Sequence, residues 1–299
     1  MNVAQQKKFD ALYRQHVSAL RRQGKADSTI DVYARAVRRI TEYWNKCPDS
    51  LTVKQLETYF HDLVQSHSWS TVKVDRCGLQ FFYQHVLQRD WDWVAIVKPP
   101  RQTTLPDLLT RDEIQTLING TRELRYQTFI LAAYSMGLRL SEVLSLQVRD
   151  IDKARMQVHV RLGKGQKDRF VFLPTLTLHA LRRCWAFHRN PAWLFPAGQT
   201  VEERAVATKR LSGSSQQKAF KAILHSCGIH KEATPHTLRH CYGAHLVEAG
   251  LNLRAIQHQM GHESPKTTAL YTQLTGHTQT DAAERVNTLV DSFTIEWGK

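Results

Sequence analysis

Three prolines, Pro99, Pro100 and Pro106, fall within the segment Lys98-Pro99-Pro100-Arg101-Gln102-Thr103-Thr104-Leu105-Pro106. A proline lacks the amide hydrogen that a helix needs and drives the residue before it into extended backbone, so no helix runs through this stretch. The chain is therefore expected to fold in two parts: residues 1-98, an extended linker over 99-107, and residues 108-299. A length of 299 residues accommodates two domains of ordinary size.

The front part carries helical spacing throughout. Ile30, Tyr33, Val37, Ile40 and Trp44 recur every three or four positions, which predicts a helix over 28–45 with Arg35, Arg38 and Arg39 on its other faces. A first helix is expected over Gln6–Arg22. Another starts at the capping box Thr52-Val53-Lys54-Gln55 and buries Leu56, Tyr59, Phe60 and Leu63, and a further one follows Ser70 with Leu79, Phe82 and Val86. After the linker, the capping box Thr110-Arg111-Asp112-Glu113 opens helices that run to about Leu146. The period then changes to two: Met156, Val158, Val160 and Leu162 alternate with polar residues, the turn Gly163-Lys164-Gly165-Gln166-Lys167-Asp168 intervenes, and Arg169–Leu173 returns as the second arm of a β-hairpin. Helical signals resume from Pro174 to Arg189, over Ser215–Cys227, and from Pro235 to Leu274, with a loop at Trp193-Leu194-Phe195-Pro196 and helix stops at Gly250 and Gly261. The expected fold class is mainly α with a small β-hairpin or sheet: a helical N-terminal domain and a mixed, mostly α C-terminal domain.

Charge narrows the partner. The formal net charge is +14. Residues 1–100 hold 15 Lys and Arg against 10 Asp and Glu, and the remaining residues hold 26 against 17, so the excess is spread over both parts. A basic tail on a neutral enzyme would concentrate it. A polyanion gripped along the length of the chain is the expected partner, nucleic acid first and an acidic membrane surface second. No apolar run approaches the roughly 20 residues that span a bilayer, and the opening MNVAQQKKFD lacks a secretory apolar segment, so a soluble, cytoplasmic protein without a membrane partner is expected. The five cysteines are scattered, odd in number and without a C-x-x-C pair, which predicts reduced, mostly buried thiols.

Candidate chemistry begins at Pro235-His236-Thr237-Leu238-Arg239-His240, where His236, Arg239 and His240 share one helical face and suggest an oxyanion site. Taken alone, such a motif is more often a solvated basic face or a satisfied core histidine. A zinc site from His236, His240 and His262 is a weaker option, because no Glu completes an H-E-x-x-H pattern. Arg139 lies in an apolar run with Leu138, Leu140, Val143 and Leu144, and Glu142 follows at i+3 as an ion-pair partner. One carboxylate does not occupy all five guanidinium donors, whereas a bound phosphate would use the rest. In Met260-Gly261-His262-Glu263, the histidine stands just past a glycine helix stop, and Tyr271, nine residues further, would ordinarily be a core or surface aromatic.

In chain order these elements are Arg139, the Lys164 hairpin, His236-x-x-Arg239, Gly261-His262 and Tyr271. The set resembles the tyrosine recombinases, the phage integrase family, in residue types, order and approximate spacing. The resemblance covers about Thr110 to Leu274, and the front part is similar in size and character to the family's helical core-binding domain. It implies a catalytic set of Arg139, Lys164, His236, Arg239, His262 and Tyr271. Tyr271 would attack phosphorus and leave a 3′-phosphotyrosine; Arg139 and Arg239 would bind the non-bridging oxygens as planar forks. Lys164, with Lys167 as its competitor, would protonate the leaving 5′ oxygen, His236 and His262 would handle protons and hydrogen-bond the phosphate, and His240 would be structural. Because the phosphotyrosine conserves the energy of the broken bond, no metal, ATP or other cofactor is implied. The implied partners are double-stranded DNA, three further copies in a homotetramer that exchanges strands through a Holliday junction, and an accessory DNA-binding protein that the family allows.

The stripe Val286, Leu289, Val290 and Phe293 fits a C-terminal helix that packs into the neighbouring protomer, or equally one that folds back on its own core. The arginines of 28–45, Lys167 and Arg169 fit phosphate contacts or a solvated face. A type IB topoisomerase-like activity and a catalytically silent DNA-binding regulator are the alternatives, while a metal-dependent nuclease would need a cluster of acidic ligands that the chain lacks. The length leaves no room for an additional arm-binding domain, and the 72 residues from Lys164 to His236 are too few for the insertion of integron integrases, so a simple Xer-like recombinase of an integrating or resolving element is expected.

Overall fold

In the computed structural model, which describes residues 1–91, 107–161 and 168–261, the chain divides into two units, Met1–Thr103 and Thr104–Lys299. All but Asp107 of the expected linker lies outside the described residues.

The described part of the first unit is helical: α1 (Val3–Arg22), α2 (Asp27–Trp44), α3 (Val53–Ser66) and α4 (Trp69–His85). Asn2, Thr52 and Ser68 cap α1, α3 and α4, the first two in the reciprocal arrangement in which a glutamine three residues on returns a bond to the cap amide. The core gathers Val37, Ile40, Leu56, Tyr59, Phe60, Leu79, Phe82 and Trp91, as the three- and four-residue spacing of the apolar positions requires. Asp75 is buried among them at 2% exposure and accepts hydrogen bonds from Arg39 at 2.7 Å and the Tyr59 hydroxyl at 2.8 Å. Of the α2 arginines expected as phosphate contacts or a solvated face, Arg35 and Arg38 are exposed, Arg35 beside Asp31 and Arg38 over the Tyr13 ring, whereas Arg39 pairs with Asp75.

The second unit contains α5 (Arg111–Gly120), α6 (Leu124–Ser135), α7 (Leu140–Leu144), β1 (Ile151–Asp152), β2 (Gln157–Val160), β3 (Arg169–Phe172), α8 (Thr175–His188), α9 (Val201–Val206), α10 (Gly213–Ser226), α11 (Pro235–Glu248) and α12 (Leu253–Met260). Helix α6 packs against α5, α8 and α11, and its Phe129, Ile130 and Ala133 join Leu117, Val143, Phe195, Phe220 and Leu238 in one core. The hairpin pairs β2 with β3 antiparallel, with Val158 opposite Val171 and Val160 opposite Arg169. Val158 and Val171 are fully buried, which explains the alternation in the sequence: one face of the sheet lies on the core. Two elements have no counterpart in the sequence reading. Strand β1 is too short to show a period of its own, and α9 is a six-residue helix started by the Thr200–Glu203 capping box.

Among the described residues no helix is long and apolar enough to cross a membrane. All five cysteines are free thiols; Cys47, Cys184 and Cys241 are buried and Cys77 and Cys227 partly so.

Candidate active site

The apolar run around Arg139 predicts a residue inside a helix; the backbone places it differently. Helix α6 stops at Ser135, and Gly137 takes a left-handed φ of 59°. A β-carbon there would stand 2.3 Å from the Tyr242 ring, so glycine is required both for the turn and for the close approach of α11. The chain re-enters helix at Leu140, which makes Arg139 the N-cap of α7, with extended backbone. Glu142 then closes a capping box: its Oε2 accepts the Arg139 amide at 2.9 Å and its Oε1 accepts Nη1 of the same arginine at 2.7 Å. Pairing at i+3 therefore holds as expected, but through a helix start.

Two further arginines converge on the same carboxylate. Arg169, from the start of β3, donates Nη1 to Glu142 Oε1 at 2.9 Å and Nη2 to Oε2 at 2.8 Å, a two-pronged pair. Arg239, from the second turn of α11, is 1% exposed and lies 3.8 Å from Glu142 Oε2. Its guanidinium also donates to the carbonyls of Gly137, at 2.6 Å, and of Met260. Gly261 caps α12 in a left-handed conformation, and its carbonyl accepts from Arg139 Nη2 at 3.4 Å. Arg139, Glu142, Arg169, Arg239 and the end of α12 thus form one constellation drawn from α7, β3, α11 and α12.

The Glu142 side chain is 5% exposed. Burial alone would raise its pKa, but the hydrogen bonds and charge of Arg169, then of Arg139, hold it down at about 2, so it is ionised at any ordinary pH. Three permanent cations around one carboxylate leave the site positive, the condition for binding a tetrahedral oxyanion. His236 and His240 stand on the same face of α11 as Arg239, with ring centroids 4.7 Å apart in an edge-to-face contact. The His236 side chain reaches solvent, yet partial burial of its ring and the positive charge of Arg239 and Arg139 lower its pKa. Burial, His236 and Arg239 push His240 down to about 4. Near neutrality both imidazoles are uncharged, able to accept on one nitrogen and donate on the other.

Of the expected site residues, Arg139, His236 and Arg239 come together in this way. Lys164, its competitor Lys167, His262 and Tyr271 lie outside the described residues, as does the 286–293 stripe. Arg169, expected as a phosphate contact or a solvated side chain, is paired with Glu142, with 11% of its side chain exposed. The sequence does hold a signal for it. Arg169 is two residues from Val171 on one strand and shares its inward face, and an arginine pointing into a core needs a buried anion.

The second unit matches the Phage integrase family over residues 107–277, and residues 12–93 match the Phage integrase, N-terminal SAM-like domain. The putative integrase/recombinase y4qK of Sinorhizobium fredii is 35% identical over 81% of this chain and 77% of that protein. The tyrosine recombinase XerA of Thermococcus kodakarensis is 31% identical over 85% of this chain and 87% of its own length. Among solved structures, the XerH site-specific recombinase bound to a palindromic difH substrate superposes with a TM-score of 0.67 at 19% identity, covering 88% of this chain and 81% of that one. A lambda integrase tetramer bound to a Holliday junction gives 0.68 at 16%, covering 88% and 76%. At those identities the structures speak for the fold. The family match and the sequence relatives go further: the chain belongs to the phage integrase family and is a tyrosine recombinase, an enzyme of site-specific DNA recombination.

Proposed function

We propose that the chain cleaves and rejoins double-stranded DNA at a specific site through a 3′-phosphotyrosine on Tyr271, with Arg139 and Arg239 as the clamp on the scissile phosphate. The convergence of three arginines on a single carboxylate is the observation that carries this reading, because it leaves a fixed excess of positive charge beside the turn that leads into His262. The attack places a fifth oxygen on phosphorus and concentrates negative charge on the two non-bridging oxygens. Guanidinium forks that are already oriented stabilise that charge without reorganising. A free tyrosine with a pKa near 10 is a poor nucleophile at neutral pH, and the same positive field favours its phenolate. Lys164 delivers a proton to the leaving 5′ oxygen, His236 and His262 hydrogen-bond the phosphate and carry protons, and His240 supports the face they share. The reverse step, attack of a 5′ hydroxyl on the phosphotyrosine, restores the phosphodiester and frees Tyr271, so the cycle requires no metal, ATP or cofactor.

In this reading residues 1-98 grip the DNA as a helical core-binding domain and residues 108-299 do the chemistry. Four protomers hold two sites, and the apolar stripe Val286, Leu289, Val290 and Phe293 of each is its contact with a neighbour. The family allows an accessory DNA-binding protein as a further partner, and the work is done on DNA in the cytoplasm.

The test is a denaturing gel for a covalent protein–DNA adduct on a nicked duplex carrying the junction of the encoding element, run in EDTA. Wild type should form an adduct that Tyr271→Phe does not, while the mutant binds the duplex within about threefold of wild type. Arg139→Ala and Arg239→Ala should each slow adduct formation by about 100-fold or more, the usual cost of losing one charge-stabilising group. An adduct that persists in Tyr271→Phe, or that EDTA abolishes, overturns the reading.

A further inference from the structure

Among the described residues the arginine cluster holds one carboxylate, and that is a hazard for a phosphate clamp. Glu142 lies three residues from Arg139 and donates nothing to substrate; left to itself, it would be free to pair with Arg139 through both oxygens and take up the donors that face a phosphate. In the structure only Oε1 reaches the Arg139 guanidinium, while Oε2 accepts the Arg139 amide. Arg169 occupies both carboxylate oxygens, at 2.9 and 2.8 Å, and leaves Arg139 a single side-chain bond to Oε1 at 2.7 Å. The position of Arg169 is itself tightly defined. Its stem lies across Gly261, where a β-carbon would come within 2.8 Å of Cδ and 2.9 Å of Nε, and Nε points to the Gln259 carbonyl at 3.4 Å. The strand that carries it is tied to the same helix, with the Phe172 amide donating to the Gln259 side chain at 3.1 Å.

We propose that Arg169 is a positioning residue for recombination: by holding both oxygens of Glu142 it limits the carboxylate to a single bond with the Arg139 guanidinium, and it thereby preserves the remaining phosphate-binding capacity of the clamp. A bidentate hold requires a fork, so lysine substitutes only for the charge. The inference rests on the assignment of Arg139 to the scissile phosphate.

The decisive readout is a second substitution that removes the hazard. Glu142→Gln keeps an oxygen to close the capping box with the Arg139 amide, since glutamine serves at that position as well as glutamate, but it carries no charge to compete for the guanidinium. Single-turnover cleavage of the nicked junction duplex by the full chain should fall about 100-fold in Arg169→Ala and about tenfold in Arg169→Lys, with DNA affinity within about threefold of wild type. Adding Glu142→Gln to Arg169→Ala should recover cleavage at least about tenfold, at matched thermal stability of the two variants. A duplex with a methylphosphonate at the scissile position, which lacks one anionic oxygen, should narrow the gap between Arg169→Ala and wild type. Should Arg169→Ala fail to fold, Arg169→Lys with and without Glu142→Gln carries the same comparison. Cleavage by the Arg169 variants within threefold of wild type, or a double variant no faster than the single one, overturns the inference while Arg139→Ala remains inactive. Normal cleavage by Arg139→Ala would instead remove the clamp on which it rests.

Discussion

His16 is fully buried on α1, edge-on to Phe81 and Phe82 with ring centroids 5.6 and 5.5 Å away. Burial lowers its pKa to about 4 from the ordinary 6.5, and the backbone of Tyr33 offsets this only in part. A depressed histidine is neutral in the folded state and takes up a proton on unfolding below about pH 6.5, so the unfolded state binds more protons and stability is lost as the pH is lowered. The loss begins near pH 6.5, is complete near pH 4, and reaches about 3 kcal/mol at one pH unit per 1.36 kcal/mol. His16→Leu should remove that part of the slope and leave the protein at least as stable at pH 7. Urea denaturation of both proteins at pH 7 and pH 5 checks this; equal slopes would mean that His16 is hydrated or bonded in solution. At the same scale the candidate site was partly legible. His236 and Arg239 announce themselves because helical spacing puts them on one face, and Glu142 because i+3 pairing is local. The inward place of Arg169 on its strand was a signal, but its partner was not legible, because Glu142 is 27 residues away.

Between elements, Asn190 does the work that a longer helix connection would otherwise require. It is fully buried after α8, its Nδ2 donates to the carbonyls of Arg204 at 2.8 Å and Ala207 at 2.9 Å at the end of α9, and its Oδ1 accepts the amides of Ala192 at 3.0 Å and Trp193 at 2.8 Å. Each bond satisfies a backbone group that the end of a helix or a turn leaves open. Asn190→Ala should therefore cost about 3 kcal/mol, the order expected when several buried groups lose their partner at once. Asn190→Asp should be worse, since it keeps the acceptor but sets an anion against two carbonyls. Thermal denaturation of the two variants decides the matter, and an aspartate variant as stable as wild type would contradict it. The helices with long amphipathic periods were readable from sequence within a few residues, and so was the hairpin. What was not readable shares one property: β1, α9 and the break before α7 are too short to show a period in their own residues, and the break is fixed by the Tyr242 ring over Gly137.

For the whole molecule the relevant quantity is charge spread over surface. Exposed basic side chains occur in the first unit at Arg21, Arg22, Lys25, Lys54, Lys73 and Arg76 and in the second at Arg182, Arg183, Lys209, Arg210, Lys218 and Lys221, in keeping with an excess of +14 that neither part monopolises. Each phosphate neutralised on binding releases condensed counterions, so the logarithm of the binding constant falls with the logarithm of salt by about 0.9 per contact. If both units grip the duplex, one protomer makes several such contacts, and a slope of about −6 or steeper is expected. The arginines of the site enter this sum as one or two contacts among many. Arg139→Ala and Arg239→Ala together should therefore flatten the slope by no more than about 2 while cleavage is lost. Binding and chemistry would then be separable, which is what an enzyme needs if it is to assemble on its site before any strand is cut. A filter-binding titration from low to physiological salt reads the slope directly. A value near −2, or one that collapses in the double variant, would place the grip at the active site alone and leave the distributed charge without a role in recognition.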